Sequence, residues 1–280
     1  MLRAVIKSMR PHQWYKNFII FICIIFSRNI FNPQMWMDLV VVFIVFCLLA
    51  GSQYMLNDVK DVEKDKLHPK KKYRPIAAGI IPAKVALVIS LTIMVTSLII
   101  AFSMGKLIGL VSFMYLANSI VYSFYFKEYA IVDAIFIAVG FVIRAIAGCV
   151  TINVTISPWL ILCVFLLALV LAFGKRRHEL DGDQNSRNSL SQYNITMSES
   201  MLNTSVSLLL MSYALYTVSI NSAMMLTLPF AFYGIFRYVQ LMHLKGIGEE
   251  TELLLIDKPF IFNLILWTFL TIFVLYGGFL

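Results

Sequence analysis

The sequence predicts an all-α integral membrane protein with nine transmembrane helices. Hydrophobic residues make up 60% of the 280-residue chain and charged residues only 14%, which is too apolar for a single soluble core. The apolar residues also fall into runs of the length that a bilayer core requires, about 20 residues per helix. Turn-forming residues such as Asn32-Pro33, Pro82 and Pro158 separate these runs.

The residues that interrupt the apolar runs define the spans in order. The first run ends at Arg28 and Asn29 without a small-residue cleavage site, so we interpret it as an anchor helix and not as a removable signal peptide. Proline or glycine stands at most of the later breaks, including Pro82, Gly105 and Pro158. In chain order, the predicted spans are 15–31, 37–57, 84–103, 106–125, 130–151, 158–174, 200–219, 222–242 and 260–279.

The basic residues orient these helices. With nine spans, 20 of the 23 Lys and Arg residues lie on the side of the N-terminus, and the positive-inside rule assigns that side to the cytoplasm. We therefore expect one transmembrane domain over residues 1–280 in the plasma membrane, with its active site facing the cytoplasm. The net charge of +8 fits contact with anionic lipid heads. Nucleic acid is not expected as a partner, because the sequence contains no soluble basic domain that could bind it. The predicted cytoplasmic loops are about 57–83, 124–133, 174–199 and 243–259.

The segment after the second span, NDVKDVEKDKLHPKKKYRPIAAG, holds four acids and seven bases between two apolar runs. If the helix continues past Asn57, a rotation of about 100° per residue places Asp61, Asp65 and Asp58 at about 40°, 80° and 100°. Glu63 falls at about 240°, on another face. We name Asn57, Asp58, Asp61 and Asp65 the acidic stripe. Carboxylates on one face repel one another unless a cation lies among them, and Mg²⁺ prefers oxygen ligands and substrate phosphates. The stripe therefore predicts a Mg²⁺–diphosphate site in which Asn57 and the three aspartates are metal ligands and the aspartates are catalytic.

Basic residues follow the acidic stripe in HPKKKYRP. Arg74 suits a phosphate because arginine donates two parallel hydrogen bonds, while Lys72 and the two lysines before it act as point charges. For the lysines, a membrane anchor that binds lipid heads is an equally open interpretation. For Arg74, which is fixed next to Pro75, we favour substrate binding over membrane anchoring.

Four blocks carry a resemblance to a known family. RPHQWYKN (Arg10–Asn17), the acidic segment above, FVIRAIAG (Phe141–Gly148) and FGKRRHEL (Phe173–Leu180) occur in this order. With them, nearly the whole chain resembles the UbiA superfamily of intramembrane prenyltransferases, and within it the decaprenyl-phosphate phosphoribosyltransferase branch. The resemblance implies nine helices around a central cavity that opens to the cytoplasm and laterally to lipid, with Mg²⁺ as cofactor. It also implies transfer of a 5-phosphoribosyl group from phosphoribosyl diphosphate to a polyprenyl phosphate, with release of diphosphate.

One block departs from ordinary members of the superfamily, which carry a second Asp-rich motif after the sixth span. Here that position reads GKRRHELDGD, in which three bases precede three acids: Lys175, Arg176, Arg177, Glu179, Asp181 and Asp183. Bases favour a bare phosphate over a second Mg²⁺, so we expect Lys175 and Arg176 to bind the lipid phosphate. A basic cluster that ends a helix at the membrane surface is the alternative.

Other polar residues are expected near the substrates. Arg144 lies inside the apolar fifth span, where a charge costs several kcal/mol, so it must face the bundle interior. Asp133 shares nearly the same angular position three turns earlier, and an ion partner elsewhere is as plausible for Arg144 as a substrate phosphate. The remaining predicted substrate-binding residues are Arg10, Lys16, Tyr54, Tyr122, Lys127 and Asp133. For Arg10 and Lys16, an interfacial anchor is the alternative. The acids Glu249, Glu250 and Glu252 are expected in a solvated loop or gate.

Two other functions stay open on the sequence alone. A conventional prenyltransferase would move a prenyl group from its diphosphate to an aromatic or glycerol-type acceptor over the same stripe. A transporter for a metal or an anionic solute is disfavoured, because Arg144 alone is charged near the middle of the membrane and no inverted repeat is visible. An oligomer is compatible with the sequence.

Overall fold

The computed structural model describes residues 1–155, 157–181, 190–245, 254 and 256–277, and these residues form helices and no strand. The α-helices are α1 (Leu2–Ser8), α2 (Ile22–Phe26), α3 (Pro33–Lys60), α4 (Val62–Leu67), α5 (Ala83–Met104), α6 (Lys106–Val121), α7 (Val132–Thr151), α8 (Pro158–Asp181), α9 (Ile195–Ile220), α10 (Leu228–Lys245) and α11 (Lys258–Tyr276). Short 3₁₀ helices cover Pro11–Phe21, Lys71–Tyr73, Leu190–Gln192 and Ser222–Thr227, and a π-helical turn covers Tyr122–Phe126.

Seven of the nine predicted spans are confirmed among the described residues as helices long and apolar enough to cross a membrane. They are α3, α5, α6 with its π-helical turn, α7, α8, α9 and α11. The other two differ in form. The first contains most of the 3₁₀ helix Pro11–Phe21 and the five-residue α2, and the eighth contains a 3₁₀ helix and most of α10, which carries Arg237. The count of nine spans and the orientation of the cavity stay predictions.

Polar side chains fix where several helices begin. The side chain of Asn32 accepts a hydrogen bond from the Gln34 amide at 3.1 Å at the start of α3. Asp257 accepts one from the Phe260 amide at 3.0 Å at the start of α11. These bonds satisfy amides that have no partner inside the helix, and in both helices a proline occupies the first turn.

Helix α8 continues past the predicted boundary near residue 174 and ends at Asp181. Its last turns contain ion pairs between residues three and four apart. Arg176 Nη1 lies 2.5 Å from Glu179 Oε2, and Lys175 Nζ lies 3.9 Å from Glu179 Oε1. Such pairs stabilise a helix, so this charged segment is helical where a loop was expected.

The chain divides into two compact units. Unit 1 is Met1–Phe124 with Ile143–Thr155, and unit 2 is Tyr125–Val142 with the described part of Ile156–Leu280. Helix α7 contributes its beginning to unit 2 and its remainder to unit 1. The prediction of a single domain over residues 1–280 stays a prediction.

A buried apolar cluster lies beside the acidic stripe at the end of α3, in unit 1. Its members are Met9, Met55, Ile76, Ile81 and Ala86. They come from the residue after α1, the last two turns of α3, the segment that follows the acidic stripe, and the start of α5. This packing brings three segments that are distant in sequence to the end of α3.

The core of unit 2 is built from α8, α9 and α10. Its buried residues recur at helical spacing and include Leu166, Val170, Phe173, Leu202, Val206, Leu209, Tyr238 and Leu241. Because the core extends to Phe173, the first charged turn of α8, which begins at Lys175, starts directly at its edge.

Candidate active site

Two carboxylates of the acidic stripe converge on one guanidinium nitrogen. Arg74 Nη1 donates to Asp58 Oδ1 at 3.1 Å and to Asp65 Oδ2 at 2.6 Å. Arg10 Nη2 donates to the same Asp58 oxygen at 2.5 Å. Both aspartates are buried, whereas the side chains of Arg10 and Arg74 remain 25% and 29% exposed. Asp58 and Asp65 therefore point toward one common cationic position.

Asp58 and Asp65 lie on one face although the helix breaks between them. Helix α3 ends just before Asp61, whose φ of −92° and ψ of 8° depart from helical values, and α4 begins one residue later. The Asp61 amide still donates to the Asn57 carbonyl at 2.9 Å, and the Asp65 amide to the Asp61 carbonyl at 2.8 Å. Glu63 is turned away, exposed and paired with Lys66 at 2.7 Å.

The apolar cluster of unit 1 positions the two arginines. Arg10 directly follows buried Met9, and Arg74 lies two residues before buried Ile76. Arg10 has a φ of 53°, in the left-handed region that few non-glycine residues adopt. The Arg10 guanidinium also lies 4.9 Å from the ring centroid of Tyr54 and forms a cation–π contact with it. Tyr54 is itself a predicted substrate-binding residue.

Gln53 is a site residue that sequence reasoning missed. Its Nε2 donates to Ser123 Oγ at 3.3 Å and to the Ser119 carbonyl at 3.4 Å, and it approaches Asn57 Oδ1 at 3.5 Å. Its other amide atom, Oε1, is buried without a hydrogen-bond partner among the described residues. The signal for Gln53 was its place one turn before Asn57, on the same face of α3.

The π-helical turn Tyr122–Phe126 is joined to α3 by a second contact within unit 1. Lys60 Nζ donates to the Ser123 carbonyl at 3.0 Å and lies 4.2 Å from the ring centroid of Phe124. Single π-helical turns are frequent at functional sites. The predicted residue Tyr122 opens this turn, and Lys127 follows it.

The donor set of the acidic stripe fits Mg²⁺, since carboxylate and amide oxygens are its preferred protein ligands. The convergence of Asp58 and Asp65 on one nitrogen shows that this pair accommodates a cation. Within the described part of the chain, no three His, Cys, Asp or Glu side chains form a group that could hold a metal. The two buried carboxylates, Asp58 and Asp65, are bonded instead to the guanidinium groups of Arg10 and Arg74.

Unit 2 contains a second charged group, which we name the buried ion cluster: Asp133, Arg176, Glu179 and Tyr193. Asp133 Oδ2 accepts from Arg176 Nε at 2.8 Å, and Asp133 Oδ1 accepts from the Tyr193 hydroxyl at 3.0 Å. Arg176 Nη1 donates to Glu179 Oε2 at 2.5 Å. The side chains of Asp133 and Arg176 are 0% and 2% exposed. Both oxygens of Asp133 are thus bonded inside the protein.

Tyr193, which the sequence did not indicate, also holds the turn before α7. Its hydroxyl accepts from the Ile131 amide at 2.6 Å, and Ile131 has a φ of 67°, a strained value for a β-branched residue. Burial, and next the negative charge of Asp133, raise the pKa of the Tyr193 phenol above its ordinary value. The neutral hydroxyl can therefore donate and accept at the same time.

The basic cluster of α8 differs from the expectation of two phosphate-binding residues. Arg176 is buried and bonded to two carboxylates, which removes its guanidinium from the surface. Arg177 Nε lies 3.1 Å from Glu199 Oε1. Lys175 keeps 40% of its side chain exposed. Of the three bases, Lys175 is therefore the most accessible.

Arg144 faces the interior, as its position in an apolar helix required. It is 8% exposed. Its Nε donates to Asn17 Oδ1 at 2.7 Å, and its Nη2 donates to the Tyr115 hydroxyl at 2.7 Å. These polar contacts lie within unit 1, whereas Asp133 is bonded to Arg176 in unit 2.

Two predicted basic residues lie nearer the surface. Lys72 is exposed, with its ammonium 5.2 Å from the ring centroid of Tyr73. Lys16 is half-buried and donates to the Gln13 side chain. Asp183, Glu249, Glu250 and Glu252 lie outside the described residues.

Comparison with known proteins decides the family. The sequence matches the UbiA prenyltransferase family over residues 18–265. The chain belongs to the UbiA prenyltransferase family. Within this family, the decaprenyl-phosphate phosphoribosyltransferase of Mycolicibacterium smegmatis is 32% identical over 231 residues, which cover 80% of this chain and 73% of the relative. The decaprenyl-phosphate phosphoribosyltransferase of Corynebacterium glutamicum is 30% identical over 290 residues, which cover 98% and 87%. This UbiA-family chain is therefore a membrane transferase in the branch of these relatives, and the transporter interpretation is set aside.

Solved structures establish the UbiA fold. A UbiA homologue from Archaeoglobus fulgidus, bound to GPP and Mg²⁺, superposes with a TM-score of 0.76 at 17% identity, covering 96% of this chain and 98% of the other. The apo structure of a UbiA homologue from Aeropyrum pernix K1 superposes with a TM-score of 0.66 at 14% identity, covering 94% and 97%. At these identities the likeness concerns the fold.

Proposed function

We propose that this UbiA-family protein transfers a 5-phosphoribosyl group from phosphoribosyl diphosphate to a polyprenyl phosphate in a Mg²⁺-dependent reaction. The bond between C1 of the ribose and the diphosphate oxygen breaks, and the diphosphate leaves with the electron pair. A bond forms between C1 and an oxygen of the lipid phosphate. The reaction takes place at the cytoplasmic face of the plasma membrane, in one UbiA-like domain spanning residues 1–280.

The observation that carries this proposal is a difference in burial: the cations bonded to Asp58 and Asp65 are partly exposed, whereas the cation bonded to Asp133 is buried. Asp58 and Asp65 are held by arginines that are partly exposed, so an incoming cation can displace them. Asp133, in contrast, has both oxygens bonded inside the protein, and Arg176 is almost fully buried. One acidic group suits a metal and the other does not. A single metal–diphosphate site agrees with a donor that carries one diphosphate and an acceptor that carries a bare phosphate. The names of the two relatives support a lipid-phosphate acceptor and a transferred phosphoribosyl group.

Asn57, Asp58, Asp61 and Asp65 would hold the Mg²⁺. When bound, the metal neutralises the charge of a diphosphate leaving group. Basic side chains of the protein bind the phosphate groups of the two substrates. Arg74 and Arg10 are positioned to donate to diphosphate oxygens, with Lys72 adding positive charge at the surface. Lys175 is the base we assign to the lipid phosphate.

The acceptor needs no strong general base, because a phosphate oxygen is already ionised. The chain therefore acts by orienting two substrates and by stabilising the negative charge of the departing diphosphate. The other predicted substrate-binding residues in the proposal are Tyr54, Lys16, Tyr122 and Lys127. Arg144 and Asp133 stay in the proposal as predicted substrate residues, and their hydrogen bonds to Asn17, Tyr115 and Arg176 fix where the two side chains lie.

The experiment is an assay of the purified full-length protein in lipid nanodiscs. It is incubated with Mg²⁺, labelled phosphoribosyl diphosphate and a series of polyprenyl phosphates, with a chelator as the matched control. We expect a labelled lipid and an equal amount of diphosphate, both lost with the chelator. A second arm supplies a prenyl diphosphate with an aromatic acceptor. Transfer of the isoprenoid in this arm, with phosphoribosyl diphosphate ignored, would overturn the proposal in favour of conventional prenyl transfer.

A further inference from the structure

Arg10 and Arg74 occupy the carboxylates that a metal would use. The guanidinium of Arg74 bridges Asp58 and Asp65 at 3.1 Å and 2.6 Å, and Arg10 adds a second cation on Asp58 at 2.5 Å. A divalent ion that takes these oxygens must first displace both guanidinium groups.

The two arginines are more exposed than the arginine of the buried ion cluster. Their side chains are 25% and 29% exposed, whereas Arg176 is 2% exposed. Their backbones, however, are anchored beside Met9 and Ile76 of the apolar cluster. A displaced guanidinium therefore stays near the end of α3 and needs another anionic partner there.

A free divalent ion supplies no such partner. It would leave two arginine cations next to a doubly charged metal, which is electrostatically unfavourable. A metal–diphosphate complex removes this cost, because its phosphate oxygens accept charge-assisted hydrogen bonds from the displaced guanidinium groups. The exchange replaces each arginine–carboxylate bond with an arginine–phosphate bond.

We propose that Arg10 and Arg74 make the acidic stripe select a metal–diphosphate complex over a free divalent ion. This inference rests on the metal site of the proposed function, and it adds a specificity role: the arginines oppose the metal alone and favour the metal with its diphosphate. By linkage, the diphosphate tightens metal binding by the same factor as the metal tightens diphosphate binding.

The first test measures Mn²⁺ as a substitute for Mg²⁺, without any substrate. The full chain in nanodiscs of zwitterionic lipid is titrated, and free Mn²⁺ is followed by electron paramagnetic resonance. We expect Arg74→Gln and Arg10→Gln to bind Mn²⁺ about 10- to 100-fold more tightly than the unmodified protein, since a charged hydrogen bond no longer competes. Lys64→Gln is the matched control, because Lys64 is an exposed base on α4 and its substitution removes the same charge.

The second test measures retention of labelled inorganic diphosphate at saturating Mn²⁺. Here the same Arg74→Gln variant should bind about tenfold or more weakly, because the phosphate oxygens lose a donor. One substitution thus moves two affinities in opposite directions, and Lys64→Gln moves neither. Weakening of both affinities together, or Mn²⁺ binding by the arginine variants no tighter than by Lys64→Gln, would overturn the inference.

Two features keep the test decisive. If Arg74→Gln is too unstable for titration, Mn²⁺ alone should raise its melting temperature more than that of the unmodified protein, and equal shifts count against the inference. The probes contain neither ribose nor prenyl groups. Failure of phosphoribosyl transfer in the assay above therefore leaves this result interpretable, and a negative result here leaves that assay intact.

Discussion

Arg176 Nε lies 2.8 Å from Asp133 Oδ2, and the two side chains are 2% and 0% exposed. The pair joins α8 to the start of α7 within unit 2, across 43 residues of sequence. Buried charges of this kind are tolerated only when every polar atom is bonded. The Tyr193 hydroxyl and the Ala134 amide complete the bonding of Asp133.

Asp133→Ala should be strongly destabilising. Removing one partner leaves the guanidinium of Arg176 buried with only part of its bonding, so we expect a loss of about 3–5 kcal/mol in the free energy of unfolding. The measurement is denaturant unfolding in detergent micelles. Glu199→Ala, which breaks the more exposed pair with Arg177, should cost no more than about 1 kcal/mol. Equal losses in the two variants would contradict the role of burial.

Tyr193→Phe should cost about 1–3 kcal/mol at neutral pH, because the Ile131 amide and the Asp133 carboxylate each lose a partner. The pKa of Tyr193 is raised in the folded state. Above about pH 10 an unfolded tyrosine releases its proton while folded Tyr193 keeps it, so its contribution falls by about 1.4 kcal/mol per pH unit. The stability gap between the unmodified protein and Tyr193→Phe should therefore narrow as pH rises beyond 10. A gap that stays constant over this range would be inconsistent with a buried neutral phenol, and Tyr129→Phe, with an exposed ring, serves as control.

Asp61→Ala should abolish Mg²⁺-dependent donor binding and lower the rate of phosphoribosyl transfer by at least about a hundredfold. Asp65→Ala should do the same and also leave Arg74 without one of its carboxylates. Glu63→Ala should retain most activity, because its side chain is exposed and bonded to Lys66. Transfer rates and donor binding for the three variants test this, and similar losses from Glu63 and Asp61 would refute the acidic stripe as the metal site.

Lys175→Ala should weaken use of the lipid phosphate by about one to two powers of ten in apparent affinity, through loss of a charge-assisted contact. The KM for phosphoribosyl diphosphate should change much less. Arg177→Gln is the matched control, because its guanidinium is already bonded to Glu199. Steady-state kinetics with each substrate varied in turn decides the matter; an unchanged KM for the lipid in Lys175→Ala would remove Lys175 from the acceptor site.

The predicted topology places the N-terminus in the cytoplasm and the C-terminus outside. Reporter fusions at residues 1 and 280 should give opposite results. A third fusion after residue 30 tests whether Pro11–Phe21 and α2 together cross the membrane, and it should report the outside. A cytoplasmic result at this position would mean that the first predicted span does not cross and that the count of nine is too high.

The sequence by itself determined the helical class, seven of the spans, the family and the shared face of Asp58 and Asp65. The helical class, the spans and the shared face depend on local periodicity and on runs of apolar residues, which can be read along the chain without knowledge of packing. The family was predicted from the resemblance of four sequence blocks. Even with the helix break at Asp61, Asp58 and Asp65 meet the same guanidinium nitrogen of Arg74.

Only the tertiary structure decided which charges neutralise one another. Asp58 meets Arg10 from 48 residues away and Arg74 from 16, and Asp133 meets Arg176 and Tyr193 from 43 and 60. No periodicity relates such positions, since the pairing follows from which segments the apolar clusters bring together. Packing also separates two arginines that look alike in sequence. The side chain of Arg74 is 29% exposed beside its two carboxylates, whereas that of Arg176 is 2% exposed, so loss of a carboxylate would leave the Arg176 charge buried without a partner.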